Sequence, residues 1–224
     1  MCFSPEADLV TGVVAGAFGV DALRHVTRPQ QLALASLPLL LGAHTIDESV
    51  VWWGLRGQAS APATHTAIYV FLAFAFLLPF LVPLALFGVE TVRGRRRWML
   101  ALLALGAVTS ALLLTDIIRH PASAAIDGAH IAYVSGGPNA LLLGVLYVLA
   151  TCGALLVASS RLLAAFGLVN LAAVIALTWL TFTGLTSLWC AWAAITSVVV
   201  VVYLRRVGSS SRAGTVEAGA ALRR

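Results

Sequence analysis

Residues 38–56 read PLLLGAHTIDESVVWWGLR, an apolar run interrupted by His44, Asp47 and Glu48 and closed by Trp52, Trp53 and Arg56. In a helix of 3.6 residues per turn, His44 and Glu48 stand one above the other, with Asp47 nearly beside them. If the run crosses a membrane, Glu48 lies about 9 Å inside its tryptophan-marked end, because each helical residue rises about 1.5 Å. An ionisable side chain at that depth costs several kcal/mol unless it is partnered or neutralised, so it faces protein or water and becomes a functional candidate.

The surrounding composition supports a membrane setting. Of 224 residues, 60% are hydrophobic and 10% charged, and the mean hydropathy is +0.96, a balance foreign to soluble domains of this size. Glu6 and Asp8 stand where a cleavable signal peptide would carry basic residues, so the first apolar run is expected to remain in the mature protein. Apolar runs at about 7–23, 32–55, 65–86, 98–118, 139–159, 162–182 and 185–204 give an all-α, polytopic bundle of seven transmembrane helices, domain 1–206, with a disordered tail over 207–224. Ser4-Pro5-Glu6 reads as a helix start with Ser4 as N-cap. Pro79 and Pro83 fall inside the third span, Arg93–Arg97 reads as a solvated basic loop, and 119–138 as the longest polar connection.

All 14 basic residues are arginine. With seven spans and the amino terminus outside, every arginine except Arg56 and Arg119 falls on the inner side. That bias places the carboxyl terminus in the cytoplasm of a cell whose inner membrane holds the chain. It also explains the net charge of +5 without a nucleic-acid partner. The absence of lysine excludes a retinal Schiff base. The lipid bilayer is the partner the composition establishes; oligomeric state is open.

This topology gathers reactive groups at the outer end: His44, Asp47, Glu48, Trp52, Asp116 and Tyr133, with Cys2 and Cys190. The sharp reading is a metal site, His44 and Glu48 ligating at i, i+4 with thiolates from Cys2 or Cys190 that favour zinc or copper. The plain reading is that these groups hydrogen-bond between helices. Cys152, in mid-span, reads as a small apolar filler.

Met1-Cys2-Phe3-Ser4, Glu48 with Trp52, His130-x-x-Tyr133 and Ser187-Leu188-Trp189-Cys190 together resemble an uncharacterised family of bacterial multi-pass membrane proteins over most of the chain. The resemblance implies seven spans and a paired role for Cys2 and Cys190, and it shifts weight from His44, where glutamine is common, to Glu48. Seven-helix zinc hydrolases of the ceramidase and adiponectin-receptor type need histidines on the last helix, and residues 185–204 have none. The expected function is an outward-facing polar pocket that binds or senses a metal ion or small ligand. A proton-coupled transporter, a metal-dependent membrane hydrolase with Glu48 as general base, and a non-catalytic assembly subunit are the alternatives.

Overall fold

A computed structural model describes residues 4–128, 130–134, 137, 139–180, 192 and 194–209. Helices α1 (Pro5–Arg24), α2 (Leu32–Leu55), α3 (Ala61–Val89), α4 (Arg93–Arg119), α5 (Ala140–Val157) and α6 (Arg161–Leu180) follow one another, and a two-stranded hairpin, β1 (Ser123–Asp127) and β2 (His130–Val134), sits between α4 and α5. A further helical stretch, α7, covers 194–209, past the boundary expected at 206. Cys2, Trp189, Cys190 and the tail beyond 209 lie outside the described residues.

The chain's own caps define the helix ends. The Ser4 hydroxyl accepts from Ala7 N at 3.2 Å, and Ser60 does the same for Ala63 at 3.4 Å, each such cap being worth about 1 kcal/mol. At the end of α2, Gln58 N donates to Trp53 O at 2.8 Å and Gly57 N to Gly54 O at 3.0 Å. This Schellman ending needs a left-handed residue, which Gly57 supplies at φ 75°.

α1 packs antiparallel on α2 through a stripe of small residues. Its buried positions are Pro5, Asp8, Gly12, Ala15, Gly19 and Ala22, and a Cβ on Gly12 would come within 2.7 Å of Gly42 O. Small residues let membrane helices approach until their backbones touch. On α3, Pro83 has no N–H to give Pro79 O. That freed carbonyl is covered by Gly106 of α4, where a Cβ would overlap it.

Two expectations change, and a third is seen in part. The fold is mostly helical but not all-α. Asp127 pairs with His130 at the end of the hairpin, and Gly128, which follows it at φ 59°, takes the left-handed conformation that glycine adopts without strain. The basic run 93–97 is helical, forming the first turn of α4. Of the described helices, four are long and apolar enough to cross a membrane: α3, α4, α5 and α6. α1 and α2 have 20 and 24 residues, but acids (Glu6, Asp8 and Asp21; Asp47 and Glu48) and His44 lower their apolarity.

Two large apolar clusters, with a small third at Leu41 and Leu78, make up the core. One joins Leu34, Leu86, Met99, Leu155, Phe166 and Leu204. The other joins Val51, Trp52, Phe71, Ile117 and Ile131, so that the hairpin is docked onto the ends of α2, α3 and α4. Between α5, α6 and the residue Trp192 ahead of α7, Asn170 donates to the Cys152 sulfur at 3.3 Å and accepts from Trp192 Nε1 at 2.6 Å. Cys152 is thus buried, as a filler would be, and also held by a polar contact.

Candidate functional site under the hairpin

Glu48 is fully buried, and His44 and Trp52, one turn to either side on α2, are 9% and 1% exposed. The α2 helix sets the three on one stripe, and that stripe meets α3 and the hairpin. The His44 ring stacks on Phe71 at 4.1 Å between centroids and tilts against Phe74 at 4.6 Å. The Tyr133 ring, carried by β2, stacks on Phe71 at 4.4 Å. From that stack the Tyr133 hydroxyl donates to Glu48 Oε1 at 3.5 Å, the outer limit of hydrogen-bond reach.

The hairpin is fastened where it covers this stack. Ile131, two residues before Tyr133 and so on the same strand face, is fully buried, and Ala122 N donates to the Tyr69 hydroxyl at 3.2 Å. At the rim, the Arg56 guanidinium lies 5.1 Å over the Trp52 ring.

Several polar atoms of this region are buried with no hydrogen-bond partner among the described residues: His44 Nδ1, Asp47 Oδ2, Ser49 Oγ and Trp52 Nε1. Buried polar atoms are ordinarily satisfied, so a run of such atoms along consecutive turns of one helix singles this stretch out as the candidate site. They offer both kinds of partner, an indole N–H that donates and a carboxylate oxygen that accepts, with an imidazole nitrogen and a hydroxyl able to play either part.

The sequence-derived residues are therefore brought together in part. His44, Glu48, Trp52 and Tyr133 converge, and Asp47 follows half-buried beside them. Asp116 instead has a local partner, with His120 Nδ1 2.9 Å from its Oδ1, and its carboxylate fills the space a Cβ on Gly137 would need. Among the described residues no group of three histidine, cysteine or acidic side chains is placed to hold a metal; Cys2 and Cys190 are outside that set.

Two participants were not expected. Phe71, fully buried, is the ring on which both His44 and Tyr133 rest. Asp8, 1% exposed, lies on the small-residue stripe of α1 one turn before Gly12; since Gly12 meets Gly42 and Ile46, Asp8 is level with the Glu48 turn of antiparallel α2. The signal was the spacing Asp8, Gly12, Ala15, Gly19, which puts the acid on the packed face.

Four apolar helices of spanning length define a multi-pass membrane protein. The chain belongs to a family of unknown function, DUF6629, which matches residues 1–215. No curated protein matches the chain, and no solved structure does.

Proposed function

We propose that the protein is a seven-span membrane protein of the bacterial inner membrane, amino terminus out and carboxyl terminus in, whose outer end binds or senses a metal ion or small polar ligand at Glu48. One observation carries the reading: a fully buried glutamate under a docked hairpin, on a helix whose neighbouring buried atoms, His44 Nδ1 and Trp52 Nε1, have no hydrogen-bond partner among the described residues. Groups buried at that cost are retained when a ligand completes them. Tyr133 and the hairpin form the cover, and Phe71 sets the ring planes. In the metal form of the reading, Glu48 and His44 would be ligands, with Cys2 and Cys190 the thiolates that complete the set.

The test uses detergent-purified full-length protein dialysed against zinc or copper, with bound metal counted by elemental analysis and the intrinsic tryptophan fluorescence followed in parallel. About one equivalent per chain is expected, lost in Glu48→Gln. Absence of metal from the wild type removes the metal form and leaves a small polar ligand. Metal binding that persists unchanged in Glu48→Gln removes Glu48 from the site.

A further inference from the structure

The four helices of spanning length share one end, where α3 stops, α4 starts, α5 stops and α6 starts. The two turns there are tied together. Glu90 accepts from Val92 N and from Ser159 N, both at 2.8 Å, and Arg95 Nη1 donates to Ala158 O at 2.7 Å and Val157 O at 3.1 Å. Whichever way the bundle is inserted, this end sits at a membrane surface.

Arg93, Arg95, Arg96, Arg97 and Arg161 all stand at this end, whereas Arg119 is the only arginine of these four helices at the other. Arg95 is occupied as described, and Arg96 lies 4.3 Å over the Phe87 ring. Arg93, Arg97 and Arg161 are exposed, with no ion-pair, hydrogen-bond or ring partner among the described residues. The one acid in these turns, Glu90, has turned its oxygens to backbone N–H groups. Cations in the first turn of a helix also oppose its macrodipole, so no contact among the described residues accounts for the cluster.

The spans decide which anion fits. Trp98, directly after the basic run, is 69% exposed, an aromatic at the depth where headgroups meet acyl chains. Below it on α4, Leu100 is 54% exposed, so a lipid seated with its phosphate on the arginines lays its chains along an apolar face. We propose that this end is a binding surface for the headgroup of an anionic phospholipid. Arg93, Arg97 and Arg161 supply the charge, and Trp98 flanks the headgroup.

The experiment follows thermal unfolding of the purified full-length protein in neutral detergent with three additives: phosphatidylglycerol, phosphatidylcholine of the same chains, and inorganic phosphate. Phosphatidylglycerol alone should raise Tm. Replacing Arg93, Arg97 and Arg161 together by Gln should weaken its apparent affinity about a hundred-fold, at about five-fold per charge, and Arg97→Gln alone about five-fold. Tm without lipid should hold in both variants, because these side chains have no partner to lose, and Arg119→Gln should leave the lipid response intact. Equal stabilisation by phosphatidylcholine, a shift reproduced by inorganic phosphate, or undiminished affinity in the Arg97→Gln protein would each overturn the proposal.

Discussion

The molecule buries a glutamate at each end, and the two are treated in opposite ways. Glu90, 3% exposed, is satisfied by the backbone: two N–H groups reach its two oxygens at 2.8 Å, one from its own turn and one from the turn between α5 and α6. Glu48 is more deeply buried, yet its aromatic neighbour offers a hydroxyl only at 3.5 Å, and the atoms around it include an imidazole nitrogen and an indole nitrogen with no described partner. Glu90 is thus used as a clamp that holds two loops together. Glu48 lies instead beside buried polar atoms that have no hydrogen-bond partner among the described residues, the setting on which the proposed ligand site rests.

The comparison breaks first at Glu90. Replacing Glu90 with Ala removes the charged acceptor of two hydrogen bonds that tie the two turns together, and chemical unfolding should show a loss of about 3 kcal/mol, at about 1.5 kcal/mol for each bond to a charged group. Glu48→Gln keeps the shape and should cost about 1 kcal/mol or less. A reversal of that order would mean that Glu48 is the clamp.

Acid sharpens the contrast. Burial alone would raise the Glu90 pKa, but the N–H groups of Val92 and Ser159 outweigh it and hold the carboxyl below its ordinary 4.5. A group whose folded pKa is depressed stabilises the fold above its unfolded pKa, and that stability is lost as pH falls through the folded value. Tm should therefore begin to fall below about pH 4.5, and Glu90→Gln should flatten that part of the profile. The smallest effect on stability is expected of Tyr133→Phe, within about 0.5 kcal/mol, since the ring keeps its stack on Phe71 while the hydroxyl bond to Glu48 is already long. A larger loss would show that this bond holds the hairpin down.

Much of this was readable from the residues. The limits of α2 at Leu32 and Leu55 were expected and are observed, because a polar or basic flank stands at each end, and the Ser4 cap follows from its side-chain chemistry. The hairpin was missed although Asp127-Gly128 is a turn signal and Ile131 and Tyr133 alternate; Pro121 and the Gly136-Gly137-Pro138 run make the segment look like loop. Within the site, Glu48, His44 and Tyr133 stood out because polar groups are conspicuous in an oily chain. Phe71 did not, since an aromatic in the uniformly apolar α3 carries no mark. Asp8 was hidden by a sufficient local explanation, the acidic first turn of a helix, and only the packing of α1 on α2 shows that it faces inward.

Asp21 near the end of α1 receives Arg205 of α7, whose Nη2 and Nε both reach its Oδ2, at 2.8 and 3.1 Å. An early helix is thus clasped to one made 184 residues later. During synthesis α1 can settle on α2 through its glycines, but its aspartate must wait for its arginine until α7 has been translated. Release of a nascent chain before α7 is made would leave that latch undone.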